Sequence, residues 1–281
     1  MNLIIDTDVG LDDILCIAKL LQLQKKGVCN ILGFTVVSGN LPADKGYQVL
    51  KFVLERIFEV DLPVHRGGAS TEKKISYYYA KDGHYDLLEE SINATYPINP
   101  VAAVDFLRNT IDKHTTLLSL GPSSNLSDGE REEPGLLACS RQLVMMAGAL
   151  DTAGNVQGDA EFNVVFDAGA FRHVISSSPN VLLFPLDITL QTYFRKKELL
   201  PLIPPQHQTL FDCIVDKHEL HNRMTGQGPA DKVDQIVVHD LLLALYCEDQ
   251  RRFNITDAAI DVDEHGKITW DGKHKVGIAH A

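Results

Sequence analysis

Four aspartates stand within eight residues near the start of the chain: Asp6, Asp8, Asp12 and Asp13. Negative charges this close repel one another unless protons or a cation neutralise them. Carboxylate oxygens are the ligands that hard divalent cations prefer. Asp12 and Asp13 alone could simply complement the N-terminus of a helix. Because that role leaves Asp6 and Asp8 unexplained, the cluster predicts a calcium or magnesium site.

A strand, a turn and a helix must hold these aspartates. The apolar run 3–5 predicts a buried strand, and Gly10 suits the tight turn that follows. Asp6 and Asp8 are two residues apart, so an extended chain would place both on one side of the strand end. The helix is predicted from apolar residues at helical spacing: Ile14, Leu15, Ile17, Ala18 and Leu21.

Strands and helices alternate along the rest of the 281-residue chain. Further strands are predicted at 30–37, 62–65, 116–120, 143–147 and 181–184, and a hairpin at 258–270. Helices are predicted from Asn99-Pro100, from Asp167 and from Val238, with a mainly helical stretch from 186 to 221 and a long loop at 69–99. This alternation predicts one α/β domain over 1–281, a Rossmann-like, open and mostly parallel sheet with helices on both faces. In such sheets, ligands bind beyond the carboxyl ends of the strands.

Composition excludes several classes of function. The net charge is −12 and the chain has no basic run, which argues against a nucleic-acid partner. No apolar run approaches the roughly 20 residues that cross a bilayer, and the N-terminus lacks the features of a signal peptide. The five cysteines are scattered without metal-binding spacing. We therefore expect a reduced, cytoplasmic protein that does not contact membranes.

Polar residues follow several other predicted strands. Each of them, taken singly, is an ordinary turn or helix-cap residue. They are Asn40 after the second strand, Asn155, Glu161 and Asn163 after Met145-Met146, and His239-Asp240 at the start of an apolar helix.

Taken together and in order, these segments resemble the inosine-uridine nucleoside hydrolase family. The N-terminal pattern D-x-D-x-G-x-D-D matches at every acidic and glycine position. The later similar segments are 35–40, 120–125, 154–156, 160–163, 186–189 and 239–240. The haloacid-dehalogenase-like phosphatases also begin with D-x-D at a strand end, and would use Asp6 as a nucleophile. That alternative does not account for the later segments.

The resemblance implies a calcium-dependent hydrolase that cleaves the N-glycosidic bond of ribonucleosides to free base and ribose. The implied calcium ligands are Asp8, Asp13, Asp240 and the carbonyl of Leu120. Asp8 would also take a proton from the attacking water, Asn40 would contact the sugar or that water, and His239 would protonate the leaving base. Asp6 would support the cluster from behind. The implied substrate contacts are Asp12, Asn40, Met145, Asn155, Glu161, Phe162, Asn163 and His239.

The chain departs from the family pattern at four places. Val9 stands where proline is usual, and Leu120 stands where threonine is frequent, although leucine supplies the implied carbonyl ligand equally. The sequence ends soon after Trp270, where many members continue with another strand and helix. Many members also carry H-G-x-D-G in the long loop, where this chain has Tyr-Ala-Lys-Asp-Gly at 79–83, with His84 next. The preference for purine or pyrimidine bases therefore stays open. The resemblance further implies a homodimer or homotetramer, and a non-catalytic nucleoside- or ribose-binding protein on the same fold remains an alternative.

Overall fold

The computed structural model describes residues 1–68, 95–156, 160–224 and 235–280. The strands are β1 Asn2–Thr7, β2 Asn30–Val36, β3 Val64–Arg66, β4 Thr115–Ser119, β5 Gln142–Met146, β6 Val181–Phe184, β7 Tyr193–Arg195, β8 Gln235–Val237, β9 Asn254–Val262, β10 Ile268–Trp270 and β11 His274–His280. The helices are α1 Leu11–Lys25, α2 Ala43–Phe52, α3 Ala103–Thr110, α4 Ser124–Glu132, α5 Phe162–Phe166, α6 Ala168–Ser177, α7 Leu186–Thr189, α8 Lys196–Leu199, α9 Gln208–Met224 and α10 Leu241–Glu248. A π-helical turn, Val53–Ile57, continues α2, and short 3-10 turns occupy Leu137–Cys139, Leu200–Leu202, Pro205–His207 and Gln250–Arg252.

Among the described residues, nine strands form one sheet in the order β10-β9-β11-β6-β5-β4-β1-β2-β3, while β7 and β8 form a separate antiparallel pair. The pairs from β3 to β11 are parallel, and β9 runs antiparallel to both of its neighbours. The predicted fold class is therefore confirmed. The chain leaves β1 toward β2 on one side and returns to β4 on the other. This reversal of strand order opens a crevice at the carboxyl ends of β1 and β4, where sheets of this kind bind ligands.

Both faces of the sheet are buried under helices. Along β1, Leu3 and Ile5 belong to an apolar core that includes residues of α1, α2 and α10. Ile4 belongs to a second core on the other face, which includes residues of α3, α4 and α6. This alternation explains why β1 is a continuous apolar run, since both faces of the strand need apolar side chains.

The position of α1 follows directly from its sequence. The helix begins after Gly10 and carries two aspartates in its first turn, where the helix dipole stabilises negative charge. Ile14, Ile17 and Leu21 are buried and anchor the helix on the sheet. The apolar α10 packs beside α1. The N-termini of both helices hold predicted site residues, so these residues are brought close together although they come from opposite ends of the chain.

Three sequence predictions about elements were wrong. The helix expected from Asn99 begins at Ala103, because the Asn99 side chain accepts the Val101 N–H at 3.0 Å and donates to the Val64 carbonyl at 3.3 Å instead of capping a helix. The helix expected from Val238 begins at Leu241, which leaves His239 and Asp240 in the preceding turn. No strand was expected after Trp270, but the tail forms β11, which inserts between β9 and β6.

Most of the predicted long loop, including 79–84, lies outside the described residues. Among the helices that the structure does describe, none combines the length and apolar character that a membrane crossing requires.

Candidate active site

An open cleft lies at the carboxyl ends of the central strands, at the reversal of strand order. Every predicted site residue except Met145 lines it. The lining residues are Asp8, Asp12, Asp13, Asn40, Leu120, Met146, Asn155, Val156, Glu161, Phe162, Asn163, His239 and Asp240.

Met145 was assigned to the sugar, and the structure corrects this assignment. Its side chain is buried in the core on the opposite face of the sheet, beside residues of α6. Met146 lines the cleft in its place. The reason is the two-residue period of β5, since adjacent side chains of a strand point to opposite faces.

Three carboxylates converge on one point of the cleft. Asp12, Asp13 and Asp240 each offer an oxygen, and these oxygens lie within 4.8 Å of one another. Asp240 Oδ1 is buried and has no hydrogen-bond partner among the described residues. A buried carboxylate oxygen that lacks a donor suits a cation. The donor set therefore fits a hard divalent ion.

Hydrogen bonds hold Asp13, a member of this cluster, and the nearby Asp8 in place. Asp13 accepts the Thr7 hydroxyl at Oδ1 and the Gly10 amide at Oδ2, the latter at 3.0 Å. Asp8 Oδ2 accepts the Asn40 amide at 2.6 Å. A Cβ at Gly39 would lie 2.1 Å from Asp8 Oδ2, so only glycine permits this approach. The segment Ser38-Gly39-Asn40, which follows β2, thus supports Asp8 because its backbone can approach this carboxylate closely.

The turn that carries Asp8 is strained at Val9. Val9 is buried and has a φ of 61°, a conformation that is rare for a β-branched residue. Its amide donates to the Thr7 hydroxyl at 3.0 Å. Such backbone strain costs on the order of 1–3 kcal/mol and is typical of functional sites. Proline, usual at this position in the family that the sequence resembles, could not adopt this φ.

Burial raises the pKa values of the carboxyls in and behind the cleft. Removal from water raises the pKa of Asp13 to about 6 and that of Glu161 to about 7, with the nearby Asp12 charge adding to both. For Asp8 and Asp240, burial and then neighbouring aspartates raise the pKa well above its usual range. Near neutral pH, the cluster without a cation therefore holds protons.

Asp6 does not join Asp8 in the cleft. The strand ends at Thr7, so the alternation that would have placed both aspartates together stops before Asp8. Asp6 Oδ1 accepts the Thr35 hydroxyl at 2.6 Å and the Asn125 amide at 2.8 Å. Burial raises its pKa to about 7. Because Asp6 does not line the cleft, the geometry does not favour the phosphatase alternative, in which Asp6 would be the nucleophile.

The segment Ala160-Glu161-Phe162-Asn163 connects the ends of β4 and β5. Glu161 caps α5, accepting the Asn163 amide at 2.8 Å and the Val164 amide at 3.2 Å, and it also accepts the Gly148 amide at 3.0 Å. The Asn163 side-chain amide donates to the carbonyls of Leu120 and Met146 at 2.8 and 3.0 Å. These bonds fix the cleft wall opposite the aspartates. The sequence predicted that these residues contact the substrate and did not indicate their hydrogen bonds to backbone groups.

We predict that Glu161→Gln lowers the free energy of unfolding by about 1–3 kcal/mol, because an amide NH2 would face a buried backbone donor. Chemical unfolding of both proteins at one pH measures the change. Glu198→Gln is the matched control, since Glu198 is exposed and accepts one backbone amide, from Arg195, at 2.7 Å. An equal effect of the two substitutions would contradict the role assigned to Glu161.

The helical turn α7 contacts the cleft from behind. The Thr189 hydroxyl lies 2.8 Å from Nδ1 of His239, and both residues are buried. Asp187 accepts the Leu150 and Asp151 amides at 2.9 and 2.7 Å, which holds the loop that leads to Asn155. Sequence analysis singled out the L-D-I-T segment without giving it a role.

Comparison with known proteins identifies the class to which this fold and site belong. The family model described as inosine-uridine preferring nucleoside hydrolase matches residues 3–278. The chain belongs to this family, and the resemblance seen in the sequence is confirmed.

Three individual relatives share only 21–32% sequence identity with the chain. An uncharacterised protein of Schizosaccharomyces pombe is 32% identical over 208 residues, which cover 71% of this chain and 65% of that protein. The pyrimidine-specific ribonucleoside hydrolase RihB of Escherichia coli O157:H7 is 31% identical over 197 residues, covering 68% and 61%. The chain thus spans less than two thirds of the length of these curated relatives. A solved plant nucleoside hydrolase shares the fold, with a TM-score of 0.82 at 21% identity, covering 100% of this chain and 94% of that one.

Proposed function

We propose that this protein is a calcium-dependent hydrolase of ribonucleosides that releases the free base and ribose. The observation that carries the proposal is the convergence of Asp12, Asp13 and Asp240 at the strand ends of a nucleoside hydrolase fold. An open cleft lies beside them.

The ion would be held by Asp8, Asp13, Asp240 and the Leu120 carbonyl, all of which line the cleft. Asp13 and Asp240 belong to the group of converging carboxylates, whereas Asp8 lies outside that group and Asp12 takes its place there. The Leu120 carbonyl already accepts the Asn163 amide, and its second lone pair can serve a cation. When bound, a divalent cation supplies positive charge that favours deprotonation of the attacking water.

The remaining steps belong to side chains of the chain itself. Asp8 is anchored through Oδ2 by the Asn40 amide, and its Oδ1 is the atom that takes the proton of the water. As the glycosidic bond breaks, positive charge develops on the ribose. Carboxylates already fixed in the cleft stabilise that charge without having to reorganise.

The wall opposite the aspartates would hold the sugar. Asn155, Glu161 and Asn163 present polar atoms there, and Phe162 adds an aromatic surface. Asp12, on the aspartate side, would bind a ribose hydroxyl. His239 also lines the cleft and would donate a hydrogen bond or a proton to the leaving base.

We predict that the protein releases ribose from ribonucleosides with calcium, and that EDTA abolishes this turnover. Incubation with inosine, uridine, adenosine and cytidine, followed by a reducing-sugar assay, measures it. Added calcium should restore the rate. 4-Nitrophenyl phosphate with magnesium is the control substrate and should not be hydrolysed. Nucleoside binding without ribose release would instead favour a non-catalytic binding protein, and would overturn the proposal.

A further inference from the structure

The turn α7 follows β6 directly and places one buried hydroxyl against the proposed leaving-group residue. Thr189 is fully buried, and its Oγ1 lies 2.8 Å from His239 Nδ1. The backbone of the turn is fixed, since the Thr189 amide donates to the Pro185 carbonyl at 3.1 Å. The hydroxyl is thus presented from a rigid element.

We propose that Thr189 is a positioning residue for the leaving-group step, acting through His239. This inference rests on the proposed function. With Nδ1 committed to Thr189, Nε2 is the ring nitrogen that serves a base in the cleft. The hydroxyl both donates and accepts, so it partners Nδ1 whichever nitrogen carries the ring proton.

The physical reason is the near symmetry of the imidazole ring. A half-turn about the bond that joins the ring to Cβ exchanges Nδ1 with a carbon, and Nε2 with another carbon. The two orientations have almost the same shape, so packing alone distinguishes them poorly. A hydrogen bond to Nδ1 separates them, because the flipped ring would leave the Thr189 hydroxyl against a C–H and buried without a partner. Thr189 therefore keeps a nitrogen, rather than a carbon, directed at the base.

The test compares two substrates that differ in their need for help with departure. Inosine and uridine have poor leaving groups, whereas 4-nitrophenyl β-D-ribofuranoside has a leaving group that departs unaided. We expect Thr189→Val, which keeps the shape and removes the hydroxyl, to lower kcat for the nucleosides about tenfold or more. The rate for the nitrophenyl riboside should stay within about twofold, since general-acid assistance contributes little there.

Three further variants separate positioning from a structural effect. Thr189→Ser restores the hydroxyl and should recover the nucleoside rate. Thr192→Val removes a hydroxyl from the next turn, where it donates to the Ile188 carbonyl at 3.1 Å, and should slow neither substrate. The double variant Thr189→Val/His239→Gln should be no slower on inosine than His239→Gln alone, because residues that act through one another are not additive.

The outcomes are distinguishable. Equal loss on both substrates, loss on neither, or additive losses in the double variant would each overturn the positioning role while leaving the proposed function in place. A wild-type protein without turnover on any nucleoside would overturn both. Thermal unfolding of every variant checks folding. If Thr189→Val does not fold, Thr189→Ala removes the same hydroxyl and carries the test.

Discussion

Replacement of Asp240 by asparagine is expected to abolish calcium binding and lower kcat on nucleosides on the order of 10³-fold. A divalent cation contributes several kcal/mol to such a reaction, which corresponds to a loss of this size when it is removed. Isothermal titration with calcium and the reducing-sugar assay measure the two effects. Asp257→Asn is the matched control, since this exposed residue lies outside the cleft and its loss changes the net charge equally.

The same substitution should have the opposite effect on the metal-free fold. Asp240 is buried beside Asp12 and Asp13, and their charges raise its pKa further. Removing a buried carboxylate from a cluster of like charges relieves repulsion. In EDTA at pH 8, Asp240→Asn should therefore unfold at a temperature equal to or higher than that of the wild type. A variant that loses stability in EDTA and keeps its calcium affinity would contradict the assignment of Asp240 as a ligand.

The sequence predicted that these side chains lie close together because they follow strand ends. In a parallel sheet these ends meet at one edge, so Asp8, Asn40, Leu120 and Glu161 come together although they are far apart in the chain. The order of the motifs along the chain, with their residue types, was enough to predict that the proposed metal and substrate residues share one cleft.

Which side chain faces the cleft depends on strand register, and the sequence prediction was wrong about this at Met145. Met145 and Met146 are chemically identical, and a one-residue shift in register exchanges their faces. The pairing of Met145 with Ser119 in β4 and Leu183 in β6 places Met145 in the core and Met146 in the cleft. A motif records residue types and cannot make this distinction.

Sequence patterns also did not predict side-chain contacts between residues that are far apart in the chain. The Thr189–His239 bond joins residues 50 positions apart, and neither residue type is unusual where it stands. The last strand, β11, was predictable in part, since Val276 and Ile278 alternate with less buried residues. Its insertion between β9 and β6 depends on tertiary pairing, which local alternation does not encode.

The metal-free protein is expected to lose stability as pH rises, and calcium is expected to reverse this loss. Burial raises the pKa of Asp6 and Glu161 to about 7 and that of Asp13 to about 6. In the unfolded chain these carboxyls titrate near pH 4. Between these values the folded state binds more protons than the unfolded state, so the free energy of unfolding falls as pH rises through that window. Each such group contributes up to about 1.4 kcal/mol per pH unit.

Calcium changes this dependence because it binds the deprotonated ligands, so its affinity increases with pH. The calcium-induced rise in melting temperature should therefore be larger at pH 8 than at pH 5.5. Thermal unfolding at both pH values, with EDTA or with excess calcium, gives the four melting temperatures required. Asp6→Asn is the matched variant, since Asp6 does not line the cleft. Without calcium it should flatten the pH dependence, and with calcium it should retain the ion's stabilising effect. If calcium raised the melting temperature equally at both pH values, proton release from the aspartate cluster would not accompany binding, and the carboxylates would not be the ligands.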